Sequence, residues 1–144
     1  FPTGPLDMIQ AWLDLRVYDA AGHTVFTTGT VDDDHFVEPG AFAFKAEPVD
    51  QYGNLIDQHN LWDMVGSRHK RVIFPGFSDQ TTVSVSVPDS MRPAPLTVRA
   101  RLRYRKFNQS IFNTVIPDSL GMETAPITTV ASDRDTIRLT SPVQ

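Results

Sequence analysis

Three groups of residues in this chain have types and spacing that could do chemistry. Arg99, Arg101, Arg103 and Arg105 recur at every second position, which on a strand puts all four on one face, about 7 Å apart. Four like charges on one face repel unless something answers them. Carboxylates on neighbouring strands, such as Asp14 or Glu47, are one answer. An anionic partner is the other: a carboxylate-rich protein surface, haem propionates or phosphate, all of which the guanidinium fork recognises. The second group is the run Asp32-Asp33-Asp34-His35. Its carboxylates suit a hard cation such as calcium, which takes six to eight oxygens, although the EF-hand spacing and its distal Glu are missing. The plain alternative is a solvated loop.

The third group is the histidines at 23, 35, 59 and 69. None belongs to an HExxH or an H-x(3–5)-H pair, which argues against zinc. His23 follows a turn glycine, and His69 sits among Arg68, Lys70 and Arg71. His59 stands out in Asp57-Gln58-His59-Asn60-Leu61-Trp62, beside an aromatic residue; its plain role is to fix a loop by hydrogen bonds. Catalytic templates fail: there is no GxSxG elbow, no P-loop and no GxGxxG, and no spacing selects a carboxylate pair.

The elements that must position these groups read as strands. Ala11, Leu13, Leu15 and Val17 alternate with more polar neighbours, as do Phe42–Ala46, Val83–Val87 and Leu96–Tyr104. A period of two predicts strands with one face on the core and one in water. Further strands are expected near Thr24–Thr28, Arg71–Phe74 and Ile127–Ala131, with turns at Ala20-Ala21-Gly22 and Gln51-Tyr52-Gly53-Asn54. The core is expected to hold Leu13, Leu15, Phe44, Val85, Val98 and Leu102. After Asn108 the apolar spacing becomes helical, predicting one short helix near 108–116 that Pro117 ends. The fold class is therefore all-β for the most part: an antiparallel β-sandwich of the immunoglobulin or fibronectin type.

The totals narrow the function classes. A length of 144 residues suggests one domain with a real core. The net charge of -4 argues against nucleic-acid binding. No apolar run approaches the roughly 20 residues of a membrane helix. Cysteine is absent, which rules out disulfides, thiolate metal sites and any CxxCH haem attachment within this sequence. The start at Phe1 points to a removed leader or to a piece of a longer polypeptide.

Five stretches together carry a resemblance: Phe1-Pro2-Thr3-Gly4; Ala11-Trp12-Leu13 leading to Asp19-Ala20-Ala21-Gly22; Asp57 to Trp62; Ile73-Phe74-Pro75-Gly76; and Val98 to Asn108. The chain resembles the non-haem β-sandwich domain at the C-terminal end of large extracytoplasmic multihaem c-type cytochromes. In that family a Gly-His pair commonly precedes the FPTG-like motif, with the CxxCH segments upstream; neither is present here. The resemblance implies a non-catalytic structural and interaction module of a multihaem assembly, periplasmic, cell-surface or extracellular. It implies haem c in a parent or partner chain and none held covalently by this one. Its partners would be a multihaem chain or segment, with a homo-oligomer or filament also open. His59, in a matched stretch, would then be a haem contact or an axial ligand supplied in trans. The rival reading is an adhesin-like or carbohydrate-binding sandwich that uses Trp12, Trp62 and the tyrosines.

Overall fold

The alternation in the first and sixth strands builds the main sheet. The computed structural model describes residues 1–2, 4–91 and 94–140, so Thr3 of the opening motif lies outside them. Among the described residues the strands are β1 (Gln10–Tyr18), β2 (Thr24–Thr28), β3 (Ala43–Phe44), β4 (Ala46–Val49), β5 (Gly66–Lys70), β6 (Pro95–Arg105) and β7 (Thr128–Arg138). One helix, α1, spans Gln109–Val115. The large antiparallel sheet runs β2-β1-β6-β7, with β3 also paired to β1; β4 and β5 form a second, two-stranded sheet. The fold is thus a mostly-β sandwich with one short helix, as the periodicity predicts.

The helix is placed by its cap. The Asn108 side chain accepts a hydrogen bond from the Ile111 amide at 3.0 Å, satisfying one of the donors that a helix start leaves open. The same side chain donates to the Asp7 carbonyl at 2.7 Å. Ile111 and Phe112 are buried beneath the helix.

Three expectations about elements need correction. Thr82–Val87 alternates but is not a strand: no strand among the described residues pairs with it, and Val83, Val85 and Val87 are half-buried. The fifth strand lies at Gly66–Lys70 rather than Arg71–Phe74, and is held by backbone pairing to β4. The last strand runs on to Arg138, well past Ala131.

The core also sits elsewhere than expected. Of the six expected core residues, Phe44 is buried, whereas Leu13, Leu15, Val85, Val98 and Leu102 are half-exposed. The tightly packed residues are Ile9, Ala11, Trp12, Phe44, Ile56, Leu96, Ile111, Phe112 and Ala125, with Val17 and Ala43. β1 is covered on both faces near its start, because the loop after β2 crosses the Trp12 side. Gly29 makes that crossing possible. It has φ +73, and a Cβ there would stand 2.0 Å from the Leu13 carbonyl oxygen, so only glycine fits. Its own carbonyl accepts the Trp12 indole N–H at 3.0 Å.

Candidate functional site

The Asp7–His59 pair is the most developed site. Asp7 lies in the turn before β1 with its side chain only 5% exposed. Its Oδ2 is 2.6 Å from Nδ1 of His59, 52 residues away in sequence. An ionised carboxylate only accepts hydrogen bonds, so Nδ1 carries the proton and donates. That fixes the ring and turns Nε2 away from Asp7, and Nε2 has no hydrogen-bond partner among the described residues. The His59 side chain remains 44% exposed. Its backbone has φ +60, an uncommon conformation outside glycine, and its carbonyl accepts the Leu61 amide at 3.0 Å.

The mounting of this pair explains why the fold holds it. Asn108 caps α1 and grips the Asp7 carbonyl with the same side chain. The Asn108 amide also donates to the Met8 carbonyl at 2.6 Å. Helix start, Asp7 and His59 therefore form one chain of contacts. In the neighbouring sequence, Leu61, Trp62, Met64 and Val65 are exposed, Trp62 at 84%, and so are Asp57, Gln58 and Asp63. Tyr52 and Trp62 line one shallow cavity with Asp50, Gln51, Asp63 and Val65.

An imidazole with one nitrogen held by a buried carboxylate and the other facing outward is a fit for a metal ligand, because the carboxylate fixes the tautomer and raises ligand basicity. His59 therefore suits a haem iron brought by another segment. The sequence singled out His59 but missed Asp7; nothing in a 52-residue separation signals the pairing.

The arginine strand divides. Arg105, expected on the anionic-partner face, is 1% exposed and unavailable to a partner. Its Nε and Nη2 donate to Gln10 Oε1 at 2.9 and 2.6 Å. Its Nη1 donates to the His35 carbonyl at 2.7 Å, to Gln109 Oε1 at 3.0 Å and to Thr124 Oγ1 at 3.2 Å. Burial pushes this guanidinium down to about 10, against a smaller opposing pull from Asp32, so it stays charged at neutral pH. Arg101 donates to Asp14, which also holds Arg16 at 3.1 Å. Arg103 reaches Thr129 Oγ1 at 3.0 Å, and its pKa is lowered first by burial and then by Arg101. Arg99 is exposed. Glu47, the other expected partner, instead binds Lys45 at 2.5 Å and Arg68 at 2.9 Å.

The acidic run lies in a turn. Asp32 Oδ1 accepts the Phe36 amide at 2.7 Å and closes its own turn. Asp33 and Asp34 are exposed. Among the described residues no three His, Cys, Asp or Glu side chains converge to hold a metal. No helix among the described residues is long and apolar enough to cross a membrane.

No family model matches the chain, and no curated protein matches it. Among solved structures it is similar to a penta-heme cytochrome c552 from Thermochromatium tepidum, with a TM-score of 0.62 and 18% identity. The match covers 91% of this chain and 31% of that one. The chain thus spans about a third of the cytochrome's length, and at this identity the likeness establishes a shared fold.

Proposed function

We propose that the chain is a non-catalytic docking and structural module of a multihaem cytochrome assembly outside the cytoplasm, and that His59 Nε2 is its contact with a haem iron of the partner. The observation that carries this reading is the His59 ring held through Nδ1 by buried Asp7, which leaves Nε2 without a partner among the described residues in a side chain that is 44% exposed. The fold likeness to part of a penta-heme cytochrome supports it. The partner's haem, attached through the partner's own cysteines, would supply the electron transfer. This chain's part is to orient one imidazole toward the partner. A close-packed sandwich suits that role, because it fixes the ring's position.

The test uses the ferric haem undecapeptide of cytochrome c, which offers one open axial position. Mixed with the protein, it should pass to a six-coordinate low-spin spectrum, and His59→Ala should abolish the change. His23→Ala, which removes another exposed histidine, should leave it intact. Identical spectra with and without His59 would remove the residue from the site.

A second reading has its own observation: Tyr52 and Trp62 share one shallow exposed cavity, as a sugar-stacking platform requires. Binding to an oligosaccharide array that disappears in Trp62→Ala but survives His59→Ala would favour it.

A further inference from the structure

We propose that a row of three arginines, Arg16, Arg99 and Arg134, forms a docking surface for an acidic protein, on the large sheet and independent of His59. The register sets Arg16 directly opposite Arg99, and Arg99 directly opposite Arg134. Directly paired residues of antiparallel strands share a face, with Cβ atoms about 5 Å apart, and like charges so placed destabilise a sheet. Three in a line across β1, β6 and β7 is a costly arrangement, and Arg101 and Arg103 lie beside it on the same face.

The sheet answers this charge only at Arg16. Asp14 is shared between Arg16 and Arg101. The side chains of Arg99 and Arg134 make no hydrogen bond or ion pair among the described residues. β7 does carry carboxylates, but Asp135 pairs with Val98 and Asp133 with Ala100, which puts both on the opposite face. Charge on this strand is therefore sorted by side, basic on one and acidic on the other, in a chain whose net charge is -4. The cations are all arginine: β1, β6 and β7 contain no lysine. The planar fork matches carboxylates in pairs, where an ammonium would be a point charge.

The surroundings choose among anions. Beside the row runs an open groove lined by Tyr18, Asp19, Thr97 and Thr136 as well as Arg99 and Arg134. The Asp19 carboxylate at its margin, and the negative charge of the rest of the chain, repel a long polyphosphate or nucleic acid that must extend beyond the row. A folded surface bearing a few carboxylates touches the row alone, and the groove's hydroxyls give it a neutral rim.

The probe is a short acidic peptide, hexaglutamate, tested against the whole chain at low ionic strength, with a short polyphosphate of equal charge beside it. The peptide should bind, release as salt rises, and bind R99Q/R134Q about five- to tenfold more weakly. Both positions are exposed, so the double variant should keep the parent circular dichroism spectrum. R68Q, on the other sheet, should bind as the parent does. Three results would overturn the proposal: no binding at low salt, equal binding by R99Q/R134Q, or tighter binding of polyphosphate, which would make the occupant a phosphate polymer. Sedimentation showing that the chain occupies the face with a second copy would overturn it as well. The acidic peptide carries no haem, so none of these outcomes bears on His59.

Discussion

The two ends of β6 carry the same residue in opposite circumstances. At one end Arg105 is enclosed by Gln10, His35, Gln109, Thr124 and the Trp12 ring. At the other, Arg99 stands in solvent between two further arginines. Both lie on one face of one strand. What differs is the cover: α1, the loop around His35 and the segment near Thr124 close over the first end, and nothing among the described residues closes over the second. A buried guanidinium with complete hydrogen bonding organises the packing around it. An exposed one among like charges contributes little to stability and is free to meet a partner.

Substitutions should reproduce this gradient in a urea denaturation series. Arg105→Ala should have the largest effect, about 3–5 kcal/mol, because it leaves several buried acceptors without a donor. A cost under about 1 kcal/mol would mean that the enclosed end is looser than its geometry. Ile111→Ala, under the helix at that end, should cost about 3 kcal/mol, and Leu102→Ala, half-exposed in mid-strand, nearer 1 kcal/mol; the reverse order would break the comparison. Asn108→Ala should cost about 1 kcal/mol through loss of the cap, and it should also weaken haem-peptide binding by loosening Asp7. Arg99→Ala should raise stability slightly, by up to about 0.5 kcal/mol, because it relieves the repulsion from Arg16 and Arg134.

A pH titration sharpens the contrast on the smaller sheet. Burial pushes the Glu47 carboxyl up, but hydrogen bonds from Lys45 and Arg68 outweigh it and hold the group below its ordinary value. A carboxylate with a lowered folded pKa contributes stability that is present above its unfolded pKa and lost as pH falls through the folded one. Stability should therefore decline on acidification below the ordinary glutamate range, and Glu47→Gln should flatten that part of the profile. An unchanged profile would show that these ion pairs are too screened to matter.

The same contrast explains what the sequence made legible. The faces of β1 and β6 follow from period two, and Asn108 with the apolar spacing after it marks the helix. Cover is a tertiary property, and periodicity cannot report it. Leu13 and Leu102 lie on the predicted face yet stay half-exposed, while Trp12, on the face expected in water, is buried by a loop that Gly29 lets approach. Val83, Val85 and Val87 have the right alternation but no strand among the described residues to pair with. Gly66–Lys70 has no apolar alternation and becomes a strand because β4 supplies one. His59 was visible by its neighbours; Asp7, Arg16 and Arg134 acquire their roles only through long-range pairing.

β7 ends the large sheet with eleven residues exposed on both faces, an outline that invites stacking between copies. Its charges oppose that. If two copies met edge to edge in antiparallel fashion along the whole strand, Asp133 would face Asp133. One step along, Asp133 would face Asp135 and Arg134 would face Arg134. The sorting that gathers arginines on one side thus also spoils the strand as a template for its own kind. In these registers the edge is a poor match for its own copy, while its carboxylates and arginines stay unpaired with another strand.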